Sequence, residues 1–324
     1  MAGRRTVLNF AMTALLSVCC QLTMAQGYPA KPGRIVAAYP PGGSVDMVAR
    51  LVGDKLRESL GQAFVIENRS GASGNIGTEY VARSAPDGYT LLMGSSAAMA
   101  SNVHVYARLP YDPIKDFAPV IMVAHQPNVL VVHPALDANS IAGLIALAKS
   151  RPGKLNYASS GSGTSNHMAA EMFMMKTGTS IMQVPFKGGA PAITALVGGQ
   201  VDLMFETVPT VVSLVKAGKL RALAVTSTQR LAALPDVPTM AEAGLKEFDF
   251  RGWIGLAAPA GTPKEVVAKL NTEVQRAITG SLNKKLGELG LDVVGGTPEQ
   301  FSEFLREDIA RYEALVKASG LQRQ

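Results

Sequence analysis

Cysteine is almost missing from this chain, whose 324 residues include only Cys19 and Cys20. Both stand in the first 25 residues, a segment with the features of an export signal, so we expect the mature chain to have no thiol. A chain without cysteine forms no disulfides and offers neither a thiol nucleophile nor thiolate ligands for a metal. The sequence therefore excludes disulfide scaffolds, cysteine enzymes and thiolate metal sites.

Metal and nucleotide motifs are also missing. The four histidines, at positions 104, 125, 133 and 167, are too dispersed for two of them to share one helical face, and no HExxH motif occurs. The run from Gly161 to Asn166 lacks the third glycine of a dinucleotide fingerprint, and the chain has neither a P-loop nor a G-x-S-x-G elbow. We expect no metal, no cofactor and no conventional catalytic site.

Charge is not concentrated in any part of the chain. The formal net charge is +6, from 31 Lys and Arg against 25 Asp and Glu, and two of the basic residues are Arg4 and Arg5 at the amino terminus. No basic run and no basic stretch interleaved with aromatic residues occurs, so we expect no nucleic-acid binding. A mild positive field favours small anions over cations as ligands.

The first 25 residues resemble a signal peptide. Arg4 and Arg5 form a basic start, residues 7–18 form a short apolar run, and Thr23-Met24-Ala25 has the pattern of a cleavage site. Polar residues interrupt the apolar run, whereas a membrane anchor needs about 20 continuous apolar residues. We expect cleavage near Ala25 and export to the periplasm. The arginine pair permits the twin-arginine route, although the general secretory route fits the rest of the segment better.

After this segment, strand-like and helix-like runs alternate along the whole chain. Residues 34–39 form an apolar run that predicts a strand, and residues 44–60 have apolar positions at helical spacing. The β-loop-α-β-α-β order predicts a doubly wound parallel sheet, and a second unit of the same kind begins near Val120. Two long helices close the chain, the last of them opened by a capping box from Thr297 to Gln300.

Two glycine-rich loops each follow a predicted strand and open a predicted helix. They are Pro40-Pro41-Gly42-Gly43-Ser44 and the run from Ser159 to Thr164. A helix amino end presents unpaired N–H groups and a partial positive charge, and glycine lets a ligand approach that backbone closely. Such loops lie at the carboxyl ends of strands, where open α/β sheets bind ligands. We expect an anion between the two loops; ordinary turns capped by Ser44 and Thr164 are the alternative.

Three further residues have two interpretations each. Lys187, in a third glycine-containing loop, either pairs with a ligand carboxylate or remains solvated. His167, in the first turn after the second loop, either contacts the anion or belongs to the cleft wall. Glu206 ends the apolar strand of residues 201–205, where it either binds a polar distal group of the ligand or stays at the rim.

Seven motifs, in order along residues 28–320, resemble the Bug family (Bordetella uptake gene type), the extracytoplasmic solute receptors of tripartite tricarboxylate transporters. The motifs are YPPGGSVD from Tyr39, NRSGASGNIG from Asn68, PDGYTLL from Pro86, FKGGAP from Phe186, LRALAVTS from Leu220, LPDVPTMAEAG from Leu234 and APAGTP from Ala258.

The resemblance implies an α/β, two-lobed periplasmic binding protein (Venus flytrap), in which each lobe is a mostly parallel sheet flanked by helices. Lobe 1 would comprise residues 28–122 and 229–324, and lobe 2 residues 123–228. Two crossover strands, near Val120 and Val225, would join the lobes.

The same resemblance implies a periplasmic receptor that captures a small carboxylate between its lobes and delivers it to the membrane permease of the transporter. It implies a monomer without catalytic residues. Glu206 departs from the family pattern, in which this position is more often Asp. The ligand-binding residues implied by the motifs and the loops are Tyr39, Pro41, Gly42, Gly43, Ser44, Ser95, Ser96, Ser159, Gly161, Ser162, Gly163, Thr164, His167, Phe186, Lys187, Gly188 and Glu206.

Two other functions remain open at the level of the sequence. The first is an exported hydrolase of a carboxylate ester, with a non-standard serine site around Ser159–Ser165 and His167. The second is a signalling receptor, which shares the binding step and differs only in its protein partner.

Overall fold

The computed structural model describes residues 27–323, so the predicted signal peptide lies outside the described residues. The strands are β1 (Gly33–Ala37), β2 (Phe64–Asn68), β3 (Thr90–Ser95), β4 (Phe117–Val132), β5 (Asn156–Ser159), β6 (Met182–Pro185), β7 (Leu203–Thr207), β8 (Arg221–Val225), β9 (Arg251–Pro259) and β10 (Asp292–Gly295). The helices are α1 (Ser44–Leu60), α2 (Asn75–Ala82), α3 (Asn102–Val105), α4 (Ile141–Ser150), α5 (Ser165–Thr177), α6 (Gly189–Val197), α7 (Val208–Lys216), α8 (Lys264–Thr279), α9 (Asn283–Glu288) and α10 (Pro298–Ser319).

The local sequence explains where the long helices begin and end. In α1 the apolar positions face the core, and the helix ends at Gly61, whose φ of 71° is the left-handed conformation that glycine adopts without strain. The capping box of α10 is confirmed: the Thr297 side chain accepts from the Gln300 amide, and the Gln300 side chain accepts from the Thr297 amide. The predicted bounds of α1 and the predicted start of α10 are therefore confirmed.

The strands form a continuous sheet in the order β2-β1-β3-β9-β4-β7-β5-β6, with β8 and β10 also paired to β4. β1 is parallel to β2 and β3, and β5 is parallel to β6 and β7. The long strand β4 pairs antiparallel with β9 along residues 117–127 and with β7 along residues 128–132. One strand therefore runs from the first half of the molecule into the second, and each half has a mixed sheet.

These two halves are the two lobes of an α/β binding protein, as expected. Lobe 1 is built on β1, β2, β3, β9 and β10, and lobe 2 on β5 to β8. The carboxy-terminal helices belong to lobe 1: Val266 and Leu270 of α8 pack in the same cluster as Ile35 of β1, and Trp253 of β9 donates a 2.6 Å hydrogen bond to Asp308 of α10.

The exact lobe boundaries stay predictions. Leu231, Leu234 and Val237, which follow the predicted boundary at residue 228, pack with Val129 and Val225 in the core of lobe 2. Among residues 27–323, no helix combines the length and the apolar character that a membrane span requires.

Candidate functional site

A cavity of about 330 Å³ lies between the two lobes. At roughly 30 Å³ per water molecule, this is room for a small organic molecule. The residues that line it are Tyr39, Pro40, Pro41, Gly42, Gly43, Ser44, Val45, Ser95, Ser96, Ala97, Gln126, Ser160, Thr164, Ser165, Asn166, Gly189, Ala190, Ile193, Glu206, Thr207 and Thr210.

The amino ends of four helices meet at this cavity. Its wall includes the first residues of α1 and α5, the first residues of α6, and Thr207, which precedes α7. The first N–H groups of a helix have no partner within that helix and carry the positive end of its dipole. None of the described residues that line the cavity is Lys or Arg, so any positive potential in the cavity comes from the helix amino ends.

The first glycine loop is held in place by Asp46. Its Oδ2 accepts hydrogen bonds from the Gly42 amide at 3.0 Å and from Arg50 at 3.0 Å, and its Oδ1 accepts from Asn68 at 2.9 Å. Burial by itself raises the pKa of Asp46, but these hydrogen bonds together with the Arg50 charge lower it below its usual value. Asp46 is therefore a structural anion that fixes the loop, and it does not line the cavity.

Tyr39 and Ser44 contribute hydroxyl groups at the lobe 1 side of the cavity. The Tyr39 hydroxyl donates to the Ser73 carbonyl at 3.0 Å and lies 2.9 Å from the Ser95 hydroxyl. Burial raises the pKa of Tyr39 to about 12, so the phenol stays neutral at ordinary pH. The Ser44 hydroxyl accepts a hydrogen bond from Gln126, whose strand β4 crosses between the lobes.

Several polar groups of the second glycine loop are already hydrogen-bonded within the loop or to the helix that follows it. The Thr164 hydroxyl donates to the Gly161 carbonyl at 2.6 Å, and the Gly163 amide donates to Nδ1 of His167 at 3.1 Å. Because Nδ1 accepts, the proton of the neutral ring lies on Nε2, which is 3.5 Å from Glu171. His167 is 2% exposed and lies behind the loop.

A second cavity, of about 540 Å³, lies on the other side of Tyr39, Pro40 and Ser160, which line both cavities. It contains the third glycine loop: Phe186, Lys187 and Gly188 line it together with three residues of the second loop, Ser160, Gly161 and Ser162. The structure thus divides the residues predicted from the three loops between two neighbouring cavities.

The predicted site residues fall into three groups, and their contacts with a ligand stay predictions. The first cavity has Tyr39, Pro41, Gly42, Gly43, Ser44, Ser95, Ser96, Thr164 and Glu206 in its wall. The second has Gly161, Ser162, Phe186, Lys187 and Gly188, and again Tyr39. Ser159, Gly163 and His167 line neither cavity, and the Ser159 hydroxyl accepts a 2.8 Å hydrogen bond from Gln183.

Several lining residues were missed by the sequence analysis. Ser165 and Asn166 are the first residues of α5, and Gly189 and Ala190 open α6, so the rule that helix amino ends face ligands would have found them. Gln126 has a weaker signal, as one of three polar residues in the largely apolar strand β4. Pro40 and Ser160 belong to the two predicted loops, and Ala97 follows the predicted Ser95 and Ser96, although none of the three was named as a ligand contact. The lining residues that were not predicted in any form are Val45, Ile193, Thr207 and Thr210.

Glu206 is the acidic residue in the cavity wall. It is 3% exposed, and its Oε1 accepts from the Thr207 amide at 2.7 Å and from the Thr207 hydroxyl at 2.8 Å. Burial raises the pKa of Glu206 above its usual value, and hydrogen bonding from Thr207, Thr210 and Asn166 offsets this only in part. A carboxyl in this position favours its neutral form more than an exposed glutamate does.

The described residues contain no cluster of three His, Cys, Asp or Glu side chains that could hold a metal ion. The polar groups that face the cavity are amides, hydroxyls and one carboxyl. Groups of these kinds can bind and orient an organic anion through hydrogen bonds.

Comparison with known proteins agrees with this geometry. The family model for the tripartite tricarboxylate transporter family receptor matches residues 48–321. Protein BugT of Bordetella pertussis is 39% identical over 298 residues, which are 91% of this chain and 91% of BugT.

Two solved structures of related proteins superpose closely. An R. palustris protein solved with adipate has a TM-score of 0.89 and 40% identity, over 92% of this chain and 100% of that one. MatC from Rhodopseudomonas palustris, solved with bound malate, has a TM-score of 0.83 and 34% identity, over 89% of this chain and 100% of MatC. With a family model across most of its length and a relative 39% identical over nine-tenths of it, the chain belongs to the Bug-type solute-binding receptors of the tripartite tricarboxylate transporter family.

Proposed function

We propose that this protein is a periplasmic receptor that captures a small carboxylate between its lobes and delivers it to the permease of a tripartite tricarboxylate transporter. The observation that supports this most directly is the meeting of four helix amino ends at one cavity between the lobes, without a lysine or arginine among the described lining residues. Such a cavity suits an anion with several acceptor oxygens, because each helix end supplies N–H donors.

Closure of the lobes would provide the affinity. When the lobes meet, water leaves the cavity, and hydrogen bonds from N–H groups to a carboxylate become stronger in the lower dielectric. The ligand stabilises the closed form only by its difference in affinity between the closed and the open form. The closed form would then be the one that the permease recognises.

The relatives indicate the chemical class of the ligand. The structures with adipate and with malate belong to proteins of the same family, and both molecules are small carboxylates. The cavity of about 330 Å³ has room for a molecule of this size. We place one ligand carboxylate at the amino ends of α1 and α5, near Ser44 and Thr164, which belong to different lobes.

A thermal-shift screen tests the proposed function. The purified protein is unfolded, freed of bound ligand, refolded and screened against mono-, di- and tricarboxylates, with the corresponding amides as uncharged controls. A ligand that binds only the folded state adds about 2.7 kcal/mol of stability at a hundredfold excess over its Kd. We expect stabilisation by one class of carboxylate and none by the amides.

Recovery of the ligand separates the receptor from the hydrolase considered above. Mass spectrometry of the released ligand should find it chemically unchanged after incubation, and carboxylate esters should not be turned over. Stabilisation by no carboxylate at all, or hydrolysis of an ester at an enzymatic rate, would contradict the proposed function.

A further inference from the structure

Among residues 27–323, Lys187 is the one charged residue in the wall of the second cavity. The other residues that line this cavity of about 540 Å³ are glycine, serine, proline, alanine and three aromatic residues. The first cavity, in contrast, has neither Lys nor Arg among its described lining residues. A cation therefore stands next to the space proposed for the ligand, and not inside it.

The charge of Lys187 is not compensated by the protein. Its side chain is exposed, and within the described part of the chain its ammonium group makes no ion pair and no hydrogen bond. Arg69, which precedes the loop of residues 70–74 at the same cavity, differs: it pairs with Glu67 at 2.6 Å and lies 3.5 Å from the centre of the Tyr80 ring. An uncompensated charge acts over a longer range than an ion pair does, so Lys187 is the side chain through which this cavity attracts anions.

A partition built from both lobes separates the two cavities. Tyr39 and Pro40 of lobe 1 and Ser160 of lobe 2 line both of them. Pro40 also packs against Gly188 of lobe 2: a Cβ atom placed on Gly188 would lie 3.1 Å from Cγ of Pro40. A partition made of two lobes opens when the lobes separate, so the two cavities become one cleft in the open form.

The second cavity lies nearer than the first to the mouth of this cleft. Gln126, in the strand β4 that runs from lobe 1 into lobe 2, lines the first cavity. None of the described residues that line the second cavity belongs to β4 or to β8. Lobes that close about crossover strands separate most at the side far from those strands. A ligand that enters the open cleft therefore meets the surface around Lys187 before it meets the first cavity.

We infer that Lys187 is the first docking point of the anionic ligand. Its ammonium group attracts a carboxylate into the open cleft, and the ligand leaves Lys187 for the first cavity as the lobes close. This inference rests on the proposed function and adds to it a residue that sets the rate of capture. The selection concerns only negative charge, so mono-, di- and tricarboxylates are attracted in order of increasing charge.

A permanent ion pair between Lys187 and the bound ligand has less support. Lys187 lines only the second cavity, and in the closed form the partition lies between it and the first cavity. A lysine ammonium group is compact, strongly hydrated and carried on a flexible stem, so it can meet an anion and release it without a fixed geometry. The backbone N–H groups at the helix amino ends then hold the carboxylate in the first cavity.

Stopped-flow binding kinetics of the purified, ligand-free protein test the inference. The probes are adipate, malate and any other carboxylate that stabilises the protein in the thermal-shift screen. Intrinsic fluorescence is the signal, because Tyr39 lines both cavities, and the ligand concentrations are those at which the observed rate rises linearly. The slope of that line gives kon, and its intercept gives koff.

We expect Lys187→Met to lower kon about three- to tenfold at an ionic strength of about 10 mM, and not to raise koff. One unit charge within a few ångströms of an anion in water has an effect of this size, and a Debye length of about 30 Å leaves it nearly unscreened. In about 1 M salt the Debye length falls to about 3 Å, so the kon values of the variant and the unmodified protein should agree within about twofold.

Two further variants separate the charge from the shape of the side chain and from its position. Lys187→Arg keeps the charge and should keep kon within about twofold of the unmodified protein. Lys219→Met is the matched control, because it removes the same charge from an exposed lysine of lobe 2 that follows the carboxyl end of α7. Lys219 lines neither cavity, so kon should again stay within about twofold.

A fall in kon that is confined to Lys187→Met and disappears in high salt supports the inference. Equal kon values for Lys187→Met and Lys219→Met overturn it, as does a rise in koff larger than the fall in kon, which indicates a permanent contact. A kon of the unmodified protein that does not change between about 10 mM and about 1 M salt also overturns it, and this measurement needs no variant. Failure of every carboxylate to bind would contradict the proposed function itself.

Discussion

The Ser73 hydroxyl of lobe 1 donates a 2.7 Å hydrogen bond to the Ser162 carbonyl of lobe 2. The Ser101 hydroxyl, also of lobe 1, donates to the carbonyl of the next residue, Gly163. Two hydroxyls of one lobe thus hold two consecutive carbonyls of the second glycine loop. Separation of the lobes would break both contacts, so in the closure that we propose they would favour the closed form over the open one.

Removal of the first of these bonds should weaken ligand binding. One neutral hydrogen bond contributes about 0.5–1.5 kcal/mol, so we expect Ser73→Ala to raise the ligand Kd by about two- to tenfold. Small-angle X-ray scattering should show a larger fraction of open molecules at the same ligand concentration. Ser84→Ala is the control, since the Ser84 hydroxyl donates to the Tyr80 carbonyl within lobe 1. Equal affinities of the two variants would contradict a role for Ser73 in closure.

Gly163 and Gly153 allow a matched comparison of two glycine-to-alanine variants. Both have φ in the left-handed region, 77° and 68°, so alanine at either position costs roughly 1 kcal/mol in backbone strain. A Cβ on Gly163 would lie 2.5 Å from Oδ1 of Asn102 in lobe 1, whereas a Cβ on Gly153 meets nothing within 4 Å. We expect Gly163→Ala to reduce ligand affinity at least tenfold and Gly153→Ala to leave it unchanged.

Denaturant unfolding should show a similar loss of stability for both glycine variants, because the backbone cost is shared and the clash is relieved when the lobes open. If Gly163→Ala binds the ligand as the unmodified protein does, the lobes do not close through this contact.

Asp46 should contribute to stability in a pH-dependent way. Asp46→Asn loses the ion pair with Arg50 at 2.9 Å and part of the hydrogen bonding to the loop, so we expect a loss of about 1–3 kcal/mol at pH 7. Because the pKa of Asp46 is lowered by folding, its contribution is complete above the unfolded value of about 3.9 and disappears as the pH falls through the folded value.

Urea unfolding at pH 7 and near pH 3 measures this effect, and the difference between Asp46→Asn and the unmodified protein should shrink at the lower pH. Asp54→Asn, on the same helix, serves as the control: Asp54 is exposed and lies 3.9 Å from Arg57, so the change should stay within about 0.5 kcal/mol. A constant difference at both pH values would show that the Asp46 charge is not the cause.

His167 should position the second glycine loop without contacting the ligand. Its Nδ1 accepts the Gly163 amide, and an asparagine Oδ1 can accept from the same group. We expect His167→Asn to bind the ligand within about threefold of the unmodified protein, and His167→Leu, which leaves a buried amide unpaired, to bind roughly tenfold more weakly. Loss of binding in both variants would instead indicate a direct contact of the imidazole with the ligand.

The fold could be predicted to a large extent from local patterns. Apolar runs that end in Pro-Gly-Gly or Ser-Gly-Ser-Gly and continue as amphipathic helices indicate strand-loop-helix units, and two sets of them predict two lobes. The capping box at Thr297 and the stop at Gly61 also depend on neighbouring residues alone. Each of these signals concerns hydrogen bonds within a few residues, which is why the sequence displays them.

The division of the predicted residues between two cavities could not be foreseen. Thr164 and Gly161 are three positions apart in one loop, yet they line different cavities, because Tyr39, Pro40 and Ser160 stand between the two spaces. His167 was an open candidate for ligand contact, and its ring instead bonds the loop from behind. The spacing of residues in the sequence does not predict where a side chain points when it stands in a loop whose glycines adopt positive φ.

The sequence by itself determined where the helices begin and which of them follow a glycine-rich loop, because backbone conformation and capping are local. Only the tertiary structure decided that four helix amino ends face one cavity, that Ser73 meets Ser162, and that Lys187 lines the second cavity and not the first. These relationships join residues far apart in the chain. They exist because the sheet and the crossover strand β4 bring the two lobes together, and burial then sets how strongly each polar group needs a partner.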